Sequence, residues 1–303
     1  MTRRRLYSGV DDLRAMQLLS RRIWQRAGQW HIGDLAWGRF QHTGYEPQWP
    51  TALWEDGGEV VAWGWTRQPD TLRLHVDPER PELVAEVLDW FAGVATAEEL
   101  AVTVLDSDEP LIAGLRAAGY VRRDKAHHCL YMARPLADLP DVVLPHGFRA
   151  RPVGADDLDR RVAVHRAAWR PSMVTEESYR AVMAAWPYRA DLDWVVEAPD
   201  GRFAANCLVW LDEHNGVGEL EPVGAHPEFR RRGLARAVCL AALHALRAAG
   251  ARQAVVYPAQ GVPSRPGAVP LYAGLGFRAY ARTADYVLDS AHRWASSGAP
   301  SRQ

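Results

Sequence analysis

The apolar positions of this chain alternate between two rhythms, and the order in which they do so occurs twice. Behind the candidate strand Arg4–Ser8, residues Leu13, Met16, Leu18, Leu19 and Ile23 recur at helical spacing, which predicts a helix capped by Asp11 and running to about Ala27. A tryptophan-rich stretch follows, with Trp24, Trp30, Trp37, Trp49 and Trp54. Its bulk suits packing, or the wall of a substrate site. Thr51–Glu55 and Glu59–Arg67 read as strands around the tight turn Asp56-Gly57-Gly58, and Leu72–Val76 as a third strand. Pro81 opens a helix from Glu82 to Ala95; a strand at Val102–Leu105, a helix at Glu109–Ala118 and a hairpin from Gly119-Tyr120 to Leu136 complete the set.

After a proline-bounded segment, Pro135 to Pro145, the same order begins again. Phe148–Val153 is a strand, Asp156 or Asp157 caps a helix to Ala168, and Thr175 caps another to about Ala185. Strands follow at Trp194–Glu197, Phe203–Asp212 and Glu219–Ala225, then a long helix to Ala249, a strand at Ala254–Tyr257, a helix at Ala268–Gly274 and a strand from Phe277. The period is about 150 residues, the size of a domain. The expected division is 1–136, a linker at 137–146, a second domain at 147–290 and a flexible tail at 291–303.

Composition narrows the class. Of 303 residues 48% are hydrophobic and 24% charged, as in soluble globular proteins, and no apolar run reaches the length of a membrane span. The basic N-terminus has no apolar segment behind it, so a cytoplasmic protein with no membrane partner is expected. The 36 basic residues balance 37 acidic ones to a net charge of -1, which argues against a nucleic-acid partner. Cys129, Cys207 and Cys239 lack the paired spacing of a metal site or disulfide framework, so no metal is expected and the cysteines read as buried and reduced.

The candidate chemistry lies in the second repeat. The turn Arg230-Arg231-Arg232-Gly233-Leu234-Ala235 joins a strand to the long helix, and the unpaired N–H groups of a helix start form an anion site. Gly233 and the small Ala235 permit close approach to the backbone, and Arg230 and Arg232 add positive charge. Upstream, Glu219 and Glu221 stand two apart on one strand and so share a face. Pro222 interrupts the ladder of a strand that should be central.

The element Val223-Gly224-Ala225-His226-Pro227, followed by Arg230-x-x-Gly233-x-Ala235 and by Leu271-Tyr272-x-x-Leu275-Gly276-Phe277, resembles the GNAT acyltransferase superfamily. The resemblance implies an α+β fold, here two tandem GNAT folds, each a mixed, mostly antiparallel, splayed sheet flanked by helices. It implies acetyl-CoA as co-substrate and transfer of its acetyl group to a primary amine, most simply of a small molecule. Residues 230–235 would then hold the pyrophosphate, and Val223 and Ala225 of the splayed strand would bind the cofactor where its pantetheine arm lies. The N–H of Val223 would polarise the thioester carbonyl, Glu219 or Glu221 would take the amine proton, and Tyr272 would protonate the departing thiolate. Arg265 falls where family members often place an asparagine that contacts the pantetheine arm. His226 positions the turn. Trp169, Tyr179, Trp186 and Tyr188 lie in the segment that covers the acceptor in GNAT folds.

The first repeat lacks this equipment. Its matching turn, Val76-Asp77-Pro78-Glu79-Arg80-Pro81-Glu82-Leu83, has no glycine, carries carboxylates where phosphates would sit and loses a donor at each proline. Ile112 stands where Tyr272 would be. One acetyl-CoA site per chain is therefore expected, with the first repeat as a buttress. The tandem layout also resembles mycothiol synthase. A non-catalytic acyl-CoA sensor and a protein acetyltransferase are the other readings, and the sequence suits a monomer or a homodimer.

Overall fold

The structure is a computed structural model that describes residues 2–124, 127–262 and 267–288. In chain order the elements are β1 (Arg3–Leu6), α1 (Val10–Ile23), α2 (Ile32–Phe40), β2 (Thr51–Asp56), β3 (Glu59–Arg67), β4 (Thr71–Val76), α3 (Leu83–Val94), β5 (Leu100–Leu105), α4 (Glu109–Ala117), β6 (Val121–Arg123) and β7 (His128–Pro135). The second repeat continues with β8 (Arg149–Pro152), α5 (Leu158–Ala168), α6 (Glu176–Ala184), β9 (Asp193–Glu197), β10 (Phe203–Asp212), β11 (Val217–Ala225), α7 (Leu234–Ala248), β12 (Gln253–Val256), β13 (Ala259–Gln260), α8 (Ala268–Gly274) and β14 (Arg278–Leu288). Both repeats run strand, two helices, three-strand meander, helix, strand, helix, strand, with β7 added at the end of the first and the two-residue β13 inserted after β12 in the second.

One helix start differs from the sequence reading. Helix α1 begins at Val10 without a side-chain cap, because the nearby carboxylate that binds backbone is Asp12, which accepts the Ser8 N–H at 2.6 Å. Thr175 does cap α6, in a reciprocal box with Ser178. The five tryptophans from Trp24 to Trp54 are all buried. That stretch also holds helix α2, whose two glycines in nine residues blur its periodicity.

The repeats do not coincide with the compact units. The first unit comprises, of the described residues, 2–30, 44–124, 127–129 and 281–288; the second comprises 31–43, 130–262 and 267–280. The compact units thus divide the chain around α2, within β7 and within β14, and are not contiguous in sequence. The expected linker 137–146 belongs to the second unit, where Leu139, Val142 and Leu144 pack on its core. The expected tail, 291–303, lies outside the described residues.

In the first unit the sheet order is β1-β2-β3-β4-β5-β14, with β6 beside β14. All pairs are antiparallel except β4/β5, which is parallel and registered only at Thr71↔Ala101 and Leu72↔Val102. Helices α3 and α4 bury Leu83, Val87, Phe91, Leu111 and Leu115 against this sheet. In the second unit the order is β7-β12-β11-β10-β9-β8, again with one parallel pair, β11/β12. Strand β10 is buried throughout because both of its faces are covered. One face packs on α7 through Cys207, Val209, Val238, Leu243 and Leu246; the other, through Leu208 and Trp210, packs on Trp37, Val162, Tyr179 and Val182. Cys207 and Cys239 are buried and free, while Cys129 is only half-buried.

Helix α2 finds its partner in this second face. A Cβ at Gly33 would lie 2.1 Å from Trp210 Cγ, so only glycine lets the helix start sit against the indole. Gly33→Ala is expected to cost about 2 kcal/mol through overpacking. Urea unfolding that matches the native chain would show that α2 is not seated on Trp210.

Candidate active site

Strand β11 organises the site. It pairs with β12 at Val217↔Gln253, Gly218↔Ala254 and Glu219↔Val255, and β12 ends one residue later while β11 continues to Ala225. Beyond Glu219 the two parallel strands have no shared register, which leaves a gap beside residues 220–225. On its other edge the β10/β11 register passes from Val209↔Leu220 to Cys207↔Val223, so Glu221 and Pro222 together oppose Leu208. That is a β-bulge, and it seats Pro222 where a missing N–H costs no ladder bond. The Val223 side chain packs on the α7 core.

Three carboxylates converge at the start of the gap. Oxygens of Asp34, Glu219 and Glu221 lie within 4.8 Å of one another. Glu219 is buried to 1% exposure, Glu221 and Asp34 are half-buried, and the Asp34 backbone N–H donates to Glu219. Burial, and then the Asp34 charge, push the Glu219 carboxyl well above the usual carboxylate range; hydrogen bonds from the Glu221 side chain and Asp34 backbone offset this in part. His31, fully buried, places Nδ1 3.2 Å from Glu219 Oε2. Trp210 Nε1 donates to the Glu221 carbonyl at 2.7 Å and so fixes the strand at this point. Asp34 and His31 were invisible as site residues in the sequence, because they stand almost two hundred positions from Glu219 on an unrecognised helix.

Downstream, Gly233 caps α7 in the left-handed region at φ 77°, and Arg231 adopts φ 61°, alone among the described non-glycine residues. An L-residue held there marks a backbone shaped for a purpose other than the helix. The first helical bond, Ala237 N–H to Gly233 O at 3.0 Å, leaves Leu234, Ala235 and Arg236 without helical acceptors, and no side chain caps them. Arg230, Arg231, Arg232 and Gly233 are exposed, Ala235 is half-buried, and Leu234 is buried as an anchor. A Cβ at Gly233 would meet nothing within 4 Å. This donor set, with three guanidinium groups around it, fits a pyrophosphate. His226 accepts the Glu228 N–H at 3.3 Å and thereby shapes the approach to the turn.

Tyr272, on the short helix α8, is buried and stands edge-on to Phe277 with centroids 5.8 Å apart. Burial first, then Cys239, Cys207 and Glu221, push its hydroxyl well above the usual phenol range. Arg265 lies outside the described residues. Of the four aromatic residues expected around an acceptor, Tyr179 is fully buried with its hydroxyl 2.5 Å from Asp193 Oδ2, so it is a core residue and not a wall. Tyr188 also bonds Asp193, at 3.3 Å. Trp169 stacks on His165, and its Nε1 would lie 3.1 Å from a Cβ at Gly224, which places the ring beside Ala225's neighbour on β11. Trp186 is half-buried.

In the first unit the equivalent turn is filled by its own side chains. Asp77 accepts the Glu79 N–H at 3.1 Å and holds Arg22 at 3.3 Å, while Arg80 bonds Glu82 and Asp56, each at 2.6 Å.

Comparison with known proteins gives a family for part of the chain and a fold for all of it. Residues 161–277 match the model of the acetyltransferase (GNAT) family. The chain is 36% identical over 190 residues to a mycothiol acetyltransferase of Kineococcus radiotolerans, covering 59% of each chain. It matches about half the length of such curated relatives, from 46% to 63%. A tandem GNAT protein from the clavulanic acid biosynthesis pathway shares the fold over 100% of both chains, with TM-score 0.62 and 19% identity. A GCN5-related N-acetyltransferase from Sphaerobacter thermophilus does so over 95% of this chain and 96% of its own, with TM-score 0.60 and 19% identity. No helix among the described residues is long and apolar enough to cross a membrane. The family match thus falls on the segment that carries the strand β11, the turn before α7 and Tyr272, and the chain as a whole has the fold of a tandem GNAT protein.

Proposed function

We propose that the second unit transfers an acetyl group from acetyl-CoA to a primary amine of a small molecule. The observation that carries this reading is the convergence of Glu219, Glu221 and Asp34 at the mouth of the strand gap that also leads to Val223 and the α7 cradle. Residues Arg230 to Ala235 would hold the pyrophosphate of the donor, and the Val223 N–H would face its thioester carbonyl. The carboxylate cluster draws in the acceptor as an ammonium ion, since three acidic groups with oxygens within 4.8 Å of one another favour a cation between them. Attack requires the free amine, so Glu219 or Glu221 accepts a proton as the N–C bond forms. As the C–S bond breaks, Tyr272 gives its proton to the sulfur. The name of the curated relatives makes a mycothiol-type acceptor the first to test. Thiol release from acetyl-CoA against a panel of amines tests the reading; tight coenzyme A binding with no transfer to any amine would replace it with a sensor function.

The filled turn of the first unit supports one donor site per chain. Titration calorimetry with acetyl-CoA is expected to give a stoichiometry of one, lost on substitution of Gly233 by valine, whose branched side chain resists the left-handed backbone. A second site that survives this substitution would place donor binding in the first unit as well.

A further inference from the structure

We propose that His31 is a positioning residue for Glu219, fixing the orientation of its carboxyl and setting how tightly it holds a proton. The inference rests on the reading that Glu219 receives the proton of the acceptor amine. His31 itself makes and breaks no bond to substrate.

The ring is clamped at both nitrogens. Its Nε2 lies 3.3 Å from the Val217 carbonyl, which can only accept, so Nε2 carries the proton. Its Nδ1 accepts the Gly33 N–H at 3.1 Å, which makes that nitrogen the bare one. These two bonds tie the start of α2 to β11 two residues before Glu219. Burial pushes the imidazole down to about 4, against raising influences from Asp212, Val217 and Asp34, so the ring is neutral at working pH.

The same bare Nδ1 faces Glu219 Oε2 at 3.2 Å, and a neutral imidazole in this tautomer has no proton to give that oxygen. Oε2 is otherwise buried without a hydrogen-bond partner. Two acceptors at this distance repel unless a proton lies between them, and the carboxylic acid form of Glu219 supplies it. The titratable groups around the pair are all acids or phenols: Asp34 on α2, Glu221 on β11, Asp212 on β10, Tyr257 after β12 and Tyr280 at the start of β14. Of these, Glu221 hydrogen-bonds the Glu219 side chain and Asp34 reaches it through its backbone N–H, but Oε2 is left to His31. Loss of Nδ1 therefore removes a partner of the protonated form, and Glu219 ionises at lower pH.

The test compares two variants that both retain a helix cap. His31→Asn keeps an acceptor near the Nδ1 position, whereas His31→Ser caps α2 but is too short to reach Glu219. In the pH profile of kcat/KM, His31→Ser is expected to move the acidic limb about one unit to lower pH and to lower the plateau roughly tenfold. His31→Asn is expected to restore both. A native profile in His31→Ser, with Glu219→Gln inactive, would overturn the role of His31 alone; native activity in Glu219→Gln would overturn the underlying reading and the inference with it. Imidazole nitrogen NMR of the native chain gives an independent check that needs no variant. It is expected to show His31 as the neutral Nε2–H tautomer from pH 5 to pH 9, and an imidazolium near neutral pH would refute the assignment.

Discussion

Glu219→Gln is expected to lower kcat/KM about a thousandfold, within the range that a positioned base contributes. Glutamine keeps the volume and an acceptor oxygen but cannot take a proton, so the loss isolates proton transfer from packing. The pH profile separates this residue from Glu221. A base works only when ionised, and burial together with Asp34 favours the protonated Glu219, so its ionisation lies above the ordinary carboxylate range. Activity should accordingly rise with pH through that raised value and fall below it, and this limb should vanish in Glu219→Gln. Glu221, half-buried and closer to solvent, is the alternative acceptor. If Glu221→Gln removes the limb and Glu219→Gln leaves it, the assignments exchange. Stability offers a control with its own sign. A carboxyl whose pKa is raised in the folded state contributes stability below its unfolded pKa and loses that contribution as pH rises through the folded value. The Gln variant should thus be at least as stable as the native chain at alkaline pH, and a loss of activity there cannot be ascribed to unfolding.

Tyr272→Phe is expected to reduce kcat about a hundredfold while leaving the KM for acetyl-CoA nearly unchanged. The ring packs edge-on against Phe277, which phenylalanine preserves, so only the hydroxyl proton is removed. With its pKa raised by burial, the native hydroxyl stays protonated through neutral and mildly alkaline pH, as a proton donor to a departing thiolate requires. Steady-state rates at saturating donor and acceptor decide the matter. An unchanged kcat would reduce Tyr272 to a core aromatic.

Much of this architecture was legible along the chain. Strands β9 and β10 announce themselves by largely apolar runs between turn residues, α7 by its long apolar stripe, and the repeat by the recurrence of the same order. The turn was readable because its demands are local: glycine at φ 77°, a small residue after it and arginines beside it. Pro222 told of an interrupted ladder, and the bulge with the parting of β11 from β12 is the form that interruption takes. Tyr179 was misread because aromatic character alone does not distinguish a cleft wall from a buried hydroxyl that needs Asp193.

What the sequence determined by itself was therefore most of the elements, their twofold order and the glycine- and arginine-bearing turn before α7, all of which follow from local periodicity and backbone preference. The tertiary structure decided which elements share a core. Helix α2 is short and glycine-bearing, with little signal of its own, and its place is set by Trp210, which accepts it only at Gly33. That one packing choice brings His31 and Asp34 to Glu219, turning two carboxylates on a strand into a partly buried cluster of three with its own histidine. Proton affinity depends on burial and on neighbouring charge, and neither exists until residues distant in the chain have been packed together.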